Sequence, residues 1–560
     1  MVKKVKKKKK GLRSLRSSGG SAVETSSLRP KFVPKKSPCG SVGCPNHNHI
    51  RKALMAVSRA EEFGKDVDEQ IKEAFYTFLE TTPFPSVCGR VCPHPCETEC
   101  NRNEKEGALG INSFERFLGD YGLENKLAPI MLTEKKRSEK IAIIGSGPGG
   151  MSCAYQLARR GYPVTVFEAF PKTGGMLRYG IPDYRLPQNI LDAEIKRIQD
   201  MGVEIKTNTT VGKDIPYEDL QKEYKAIFVA LGAHKGKNLR IEGEDAPNVF
   251  TGTDFLHRVN AGESVEVGDN VVVIGGGDTA IDAARIARRL GANATILYRR
   301  TRKEMPAIDE EIDGAEKEGV RIDLLAAPIE IYTKDGKAIG MKCQKMELGE
   351  PDDSGRRRPM PIEGDTYDLE FSALIAAISQ EPDFNGFGSL IEGKDWIKVD
   401  DKFKTKIDAT YSGGDNINLG LAIDAIFHGR MAAGRIHEML SGEAVPVMPK
   451  MDTIRMDKMA HGYYEEKQRT PIKEIAVEDA LKSLTAEITS TWSKDEAVGE
   501  SMRCMSCGMC FDCGTCWSFC QDNAIIKPLI RGEEYKFKME FCNGCKKCAE
   551  NCPCGYIEMH

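Results

Sequence analysis

Cys510, Cys513, Cys516 and Cys520 are spaced C-x2-C-x2-C-x3-C, and Cys542, Cys545, Cys548 and Cys552 repeat that spacing, with Pro553 after the second run. Two equal runs of this kind are the ligand set of a two-cluster ferredoxin, in which three cysteines of one run and the fourth of the other hold each 4Fe–4S cluster. The expected pairing is Cys510, Cys513 and Cys516 with Cys552, and Cys542, Cys545 and Cys548 with Cys520. An internal repeat agrees: "CQDNAI" and "CPCGYI" place Ile525 and Ile557 equally far after each fourth cysteine. A zinc site needs only four ligands and leaves the second run unexplained. Gln521 stands where the motif has proline, and Cys504, Cys507 and Cys554 are left without a role.

The chain has 19 cysteines. Besides the C-terminal group, "CGSVGCPNHNHI" carries Cys39 and Cys44, and "VCGRVCPHPCETEC" carries Cys88, Cys92, Cys96 and Cys100. With no secretory h-region in view, a reducing compartment is expected, and there such clustering points to metal rather than to disulfides. At least one further cluster is expected here, with His47 and His49 as alternative ligands or plain loop residues. Cys153 and Cys343 stand apart and read as small buried hydrophobes.

Clusters that move electrons need a donor, and the middle of the chain supplies the elements for one. "KIAIIGSGPGGMSCAYQLARRGYPVTVFEA" reads as a strand, a glycine turn, a helix and a second strand ending in Glu168. Gly145, Gly147 and Gly150 let the backbone approach a pyrophosphate at a helix N-terminus, and Glu168 can take ribose hydroxyls, the full dinucleotide fingerprint. "NVVVIGGGDTAIDAARIARRLGANATILYRR" repeats the pattern with Gly275, Gly277 and Ala280. It ends in Arg299 and Arg300 instead of a carboxylate. That favours a 2′-phosphorylated nucleotide, NADP, with NAD as the alternative. Asp415, in a Gly-Gly-Asp turn before a long helix, is placed to accept hydrogen bonds near the flavin of an FAD. Neither nucleotide segment holds a C-x2-C or C-x4-C redox pair, so electrons must leave through the cysteine-rich ends.

Composition bounds the rest. With 80 Lys and Arg against 83 Asp and Glu over 560 residues, the molecule as a whole is no polyanion binder, and no nucleic-acid role is expected. The run "VKKVKKKKKGLRSLRSSGG" is a basic tail without hydrophobic period, expected to be disordered. No apolar run is long enough to span a bilayer, and a cytoplasmic location is expected.

The order of these parts resembles the glutamate synthase small subunit family, which includes the N-terminal half of dihydropyrimidine dehydrogenase. The phrases that carry the resemblance are "CGRVCP", "GGMLRYGIPDYRLP", "GGGDTAIDAARIARRLGA" and "YRRTRKEMPA", within residues 38 to 442. The resemblance implies a cluster beside the flavin held by Cys44, Cys92, Cys96 and Glu115. The family's second N-terminal cluster would need a C-x2-C upstream of Cys39, where this chain has "RPKFVPKKSPC". That leaves Cys39, Cys88 and Cys100 without a complete set. The appended ferredoxin, with "RCMSCGMCFDC", resembles that of DsrL-like iron–sulfur flavoproteins. It implies a redox partner, dissimilatory sulfite reductase.

The expected architecture is α/β, with two nested Rossmann-like nucleotide-binding domains between a helical iron–sulfur domain and a two-cluster ferredoxin domain. The expected boundaries are a disordered tail at 1–35 and a helical iron–sulfur domain at 36–135. FAD binding falls at 136–260 and 376–442, NAD(P) binding at 261–375, a linker arm at 443–503 and the ferredoxin at 504–560. The expected activity is NAD(P)H:acceptor oxidoreduction, with electrons exchanged between nicotinamide, FAD and 4Fe–4S clusters. The alternatives are a glutamate synthase small subunit-type reductase and a non-catalytic electron relay. Cofactor placement carries this chemistry, so no acid–base catalytic residue is assigned.

Overall fold

The computed structural model describes residues 25–353, 355–391, 396–445 and 450–560. The basic run expected to be a disordered tail lies, up to residue 24, outside the described residues. The chain forms two compact bodies. Of the described residues, one comprises 36–453 and 465–506; the other comprises 25–35 together with 454–464 and 507–560.

In the larger body two five-stranded parallel sheets share one plan. The first runs Thr410–Ser412, Ala226–Val229, Ile141–Ile144, Val164–Phe167, Glu204–Lys206; the second runs Val249–Thr251, Ala373–Ala376, Asn270–Ile274, Asn293–Tyr298, Arg321–Leu324. Their central strands, such as Ile141–Ile144 and Ala226–Val229, are buried throughout, as strands covered by helices on both faces must be. The second sheet is nested in the first, because the chain returns through Thr410–Ser412 after completing it. A three-stranded antiparallel ribbon, Ala326–Lys334, Lys337–Pro351 and Arg357–Glu370, precedes the return strand Ala373–Ala376. The expected crossing at 260 is corrected: Val249–Thr251 hydrogen-bonds in register with Leu374–Ala376, so the second domain begins before residue 249.

The helical iron–sulfur domain is built from Ile50–Ser58, Val67–Leu79, Pro85–Val91, Pro95–Thr98 and Ile111–Glu124. Asp66 caps the second of these by accepting from Glu69 N. Pro85 opens the third at the position where a missing N–H costs nothing. Gly89 and Gly119 are needed where this helix crosses Ile111–Glu124. A Cβ at Gly89 would lie 2.3 Å from the Arg116 backbone, and one at Gly119 would lie 2.2 Å from Ser86 N. The arm beyond residue 443 forms two short helices, Val477–Leu481 and Lys494–Ser501, and its residues from 465 belong to the larger body.

The smaller body corrects two boundaries. Pro30–Phe32, placed by the sequence in the disordered tail, is a strand antiparallel to Ile557–Met559, with Phe32 stacked on Tyr556 at 5.4 Å. Cys504, placed by the sequence in the ferredoxin domain, belongs to the larger body. Among the described residues no helix is long and apolar enough to cross a membrane.

Candidate nucleotide and iron–sulfur sites

The first fingerprint folds as a strand, turn and helix. Gly145 has φ of 99°, and a Cβ there would lie 2.2 Å from Ala230 O. A Cβ at Gly150 would meet Gly145 O at 2.0 Å. Gly147, at the mouth of the helix Pro148–Ala158, faces open space, the room a pyrophosphate requires. Glu168 is buried at the end of the adjacent strand; its Oε2 accepts from Ser146 N at 2.9 Å and from Ser146 Oγ, and its Oε1 accepts from Phe170 N at 2.9 Å. The carboxylate is therefore held at the glycine turn.

The segment Gly174–Pro187 closes over the same turn. Gly174 N donates to Ser146 Oγ at 3.0 Å, and a Cβ on Gly175 would lie 2.9 Å from Gly147 Cα. Phe170, Tyr179, His234 and His257 form an aromatic group there, with Tyr179 and His257 stacked at 4.5 Å. Burial holds the His234 imidazole down to about 4, with His257 reinforcing it, so the ring is uncharged at neutral pH. Sequence reasoning did not single out these histidines, because a histidine outside a motif carries no signal of its neighbours.

On the other side, the helix Ala422–Ser441 lies against Pro148–Ala158 so closely that a Cβ on Gly429 would meet Gly149 O at 2.1 Å. Asp415 accepts from Gly420 N at 3.2 Å, and burial, reinforced by Asp424, pushes its carboxyl up to about 6. A half-buried acid with one donor has capacity left for the hydroxyls of a bound group.

In the second domain a cleft of about 570 Å³ opens over Gly275, Gly276 and Gly277, with Arg299, Arg300 and Arg356 on its wall. A Cβ on Gly275 would lie 2.3 Å from Ala377 O, and Ala280 is fully buried where the helix meets the strand. The two arginines named from the sequence differ. Arg299 is exposed on the cleft wall, whereas Arg300 is buried, donating to Arg357 O and Asp352 Oδ2, both at 2.7 Å. Arg302 pairs with Asp313 and Glu316. Arg356, from the antiparallel ribbon, was missed because it comes more than fifty residues after the fingerprint.

Cys44, Cys92, Cys96 and Glu115 come together in the helical domain. Each of the three thiols lies within the electrostatic reach of Glu115, and Cys96 also senses Cys44 and Cys92. Burial raises all three thiols and the Glu115 carboxyl, with Glu194 adding to the last. A buried acid–thiol set of this kind fits an iron–sulfur cluster, whose cationic irons make thiolates the stable form. Asn48 Nδ2 donates to Glu115 Oε1 at 3.5 Å, and Asn48 N to Cys44 Sγ at 3.5 Å. His49 instead pairs with Glu80 at 3.4 Å, and His47 stands edge-on to Phe427. Cys153 and Cys343 are fully buried in separate apolar clusters.

In the smaller body Cys516 senses Cys513, Cys510 and Cys552, while Cys548 senses Cys542, Cys545 and Cys520. Cys516 also senses Cys548 of the other run, and Cys510, Cys513, Cys516 and Cys552, the first set named by the spacing, line one small cavity. Cys554 packs beside Cys552, with sulfurs 3.8 Å apart, and Phe32 and Tyr535 help enclose the first set. Gln521 is exposed.

Known proteins match this arrangement. Residues 139–429 match the pyridine nucleotide-disulphide oxidoreductase family, and residues 33–127 match dihydropyrimidine dehydrogenase domain II, 4Fe-4S cluster. The chain belongs to the pyridine nucleotide-disulphide oxidoreductase family and, within it, with the glutamate synthase small chains. It is 34% identical to the Escherichia coli glutamate synthase [NADPH] small chain over 71% of this chain and 87% of that one. It is 42% identical to an NADPH-Fe(3+) oxidoreductase subunit beta of Geobacter sulfurreducens, over 63% of this chain and 52% of that one. It is 38% identical to the NADP(+)-dependent formate dehydrogenase subunit beta of Moorella thermoacetica, over 71% of this chain and 59% of that one. The chain thus spans between half and three-fifths of the length of the last two.

Proposed function

We propose that the protein takes electrons from NADPH in the larger body and delivers them, through FAD and the cluster at Cys44, Cys92, Cys96 and Glu115, to the ferredoxin clusters and a partner redox enzyme. One observation carries this reading: the flavin-side helix and the cluster cradle are joined. Arg430 on Ala422–Ser441 donates to Asn46 Oδ1 at 3.0 Å and Asn46 O at 2.8 Å, two residues from Cys44. Cys92 packs against the apolar core of the first nucleotide domain and senses Asp424 at that helix's start.

In this reading Gly147 and the N-terminus of Pro148–Ala158 receive the FAD pyrophosphate, while Glu168 and Asp415 take its hydroxyls. Gly277 and the N-terminus of Asp278–Arg289 receive the second nucleotide, whose 2′-phosphate meets Arg299 and Arg356. Bound FAD supplies the conversion between a hydride and single electrons. The chain's own part is to hold the two nucleotides in adjacent clefts and keep the cluster ligands dry. The names of the relatives, all three carrying NADPH or NADP(+), support the phosphorylated nucleotide.

The partner we assign from the resemblance of the ferredoxin segment is dissimilatory sulfite reductase, in the cytoplasm. The test is an anaerobic titration of the purified chain with NADPH and with NADH, following flavin bleaching and iron–sulfur absorbance together, then addition of the sulfite reductase. Bleaching of both chromophores followed by partner-dependent reoxidation is the expected result. Reduction of the clusters by dithionite but by neither nucleotide overturns the oxidoreductase reading in favour of a relay. Nucleotide bleaching with no reoxidation by the partner overturns the partner alone.

A further inference from the structure

Three cysteines of the larger body have no part in the cluster described above and yet are gathered in one place. Cys39 begins a single wide helical turn, Cys39–Gly43, in which Cys44 N donates to Cys39 O at 2.9 Å. That turn lies against the strip leading to Cys100. A Cβ on Gly43 would meet Cys96 Cα at 2.6 Å and Glu99 Cβ at 3.0 Å.

Cys504 reaches the same spot from the other end of the sequence, carried by a buried clamp. Arg503 is almost wholly enclosed and donates to Ala108 O at 3.0 Å, Gly107 O at 2.8 Å and Glu500 Oε1 at 2.6 Å. Its own carbonyl accepts from Arg102 Nη1 at 2.7 Å, so one hydrogen bond ties a residue two beyond Cys100 to the residue before Cys504. Glu500 Oε1 accepts from Gly110 N at 2.9 Å, and Trp492 fills the space that a side chain on Gly110 would take. Cys39, Cys100 and Cys504 all pack against one apolar cluster, with Cys44 and Cys96 among its members. Cys39 senses the charge of both other thiols, and Cys504 senses Cys100.

A clamp this elaborate, built on a fully buried guanidinium and a fully buried carboxylate, is more than is needed to bury one thiol. Among the described residues no three Cys, His, Asp or Glu side chains close on a single ion. In a cubane each thiolate binds a different iron, so its sulfurs stand apart instead of converging on one point.

We propose that Cys39, Cys100 and Cys504 are ligands of a further 4Fe–4S cluster in the larger body, with Cys504 supplied by the chain after Lys494–Ser501. Three thiolates hold three of its irons, as at the neighbouring cluster. Cys504 also opens a C-x2-C with Cys507, the spacing that is missing upstream of Cys39. The segment following the nucleotide domains thus supplies a cysteine spacing that the chain ahead of Cys39 lacks.

The test is iron, acid-labile sulfide and FAD content of the anaerobically purified full chain, with the spin count after dithionite reduction. Cys504→Ala is expected to lose about four irons and about four sulfides per FAD, with FAD retained. Cys39→Ala combined with Cys504→Ala is expected to lose no more than Cys504→Ala alone, because both ligate one cluster. Full iron in Cys504→Ala, or a loss of about eight irons in the pair, overturns the proposal. If Cys504→Ala also sheds FAD, Cys504→Ser is read by electron paramagnetic resonance. A shifted or missing signal is then expected, and a spectrum identical to that of the parent overturns the assignment. Flavin bleaching by NADPH, measured on the same samples, reports separately on the proposed function.

Discussion

Arg299 and Arg300 are adjacent in sequence and unlike in circumstance. Arg300 is paired with Asp352 and bound to the ribbon backbone, whereas Arg299 is exposed on the cleft wall. A charge-assisted contact with a phosphate contributes roughly 1.5–3 kcal/mol. Arg299→Ala should therefore weaken NADPH binding about tenfold to a hundredfold and leave NADH unchanged, as read from flavin bleaching against nucleotide concentration. Arg300→Ala should instead lower thermal stability and harm both nucleotides together.

Asp415 makes a pH-dependent prediction at the same scale. Its carboxyl is raised to about 6 by burial, above its ordinary value near 3.8. The folded protein therefore holds that proton more tightly than the unfolded chain between those values, and the stability it confers falls as pH rises from about 4 to 6. In the flavin-free protein Asp415→Asn should be more stable than the parent by about 3 kcal/mol at pH 8 and close to it at pH 4. Denaturant melts at the two pH values decide it. With FAD present the advantage should be offset, because the carboxylate then has a hydroxyl to accept from.

At the scale of elements, the glycine turns separate fold from function. Gly147 faces open space, while Gly429 touches the facing helix backbone. Gly147→Ala should fold with an unchanged melting temperature and lose FAD affinity. Gly429→Ala should lower the melting temperature and the FAD content together, since overpacking two helices costs about 1–3 kcal/mol. Elements of this kind were legible in the sequence: both fingerprints, the nested return of the chain and the two ferredoxin runs follow from local spacing. What was not legible depends on contacts distant in sequence. Val249–Thr251 is too short to show which sheet it joins, and Arg356 reaches its cleft from a ribbon of unrelated pattern. Cys504 looked like a ferredoxin cysteine because the clamp of Arg503, Arg102 and Glu500 exists only in three dimensions. Asp282 marks another such contact, buried between the nucleotide domains with Arg185 at 2.8 Å and Tyr184 OH at 3.1 Å. Asp282→Ala leaves buried Arg185 with the Glu311 carboxylate alone, at 3.3 Å, and should cost about 3 kcal/mol in urea unfolding.

At the scale of the whole molecule, the proposed function gives the larger body the collection of electrons and the smaller body their onward transfer. The smaller body is completed by residues that the sequence put in a tail: Pro30–Phe32 adds a strand beside Ile557–Met559, and Phe32 helps enclose Cys510, Cys513, Cys516 and Cys552. Phe32→Ala should leave flavin reduction intact while accelerating bleaching of the ferredoxin clusters in air by roughly tenfold or more, because a lost aromatic of this size opens the cover more often.

That pairing also orders events during synthesis. Lys35 Nζ donates to Gly555 O at 2.9 Å across 520 residues of chain. At about 5–20 residues per second, a ribosome needs about half a minute or longer to make the second strand after the first. Throughout that interval the early strand is an open edge and the late cysteines do not yet exist. The segment that carries Cys44, Cys92 and Cys96 is thus made well before the two late cysteine runs whose body Pro30–Phe32 completes.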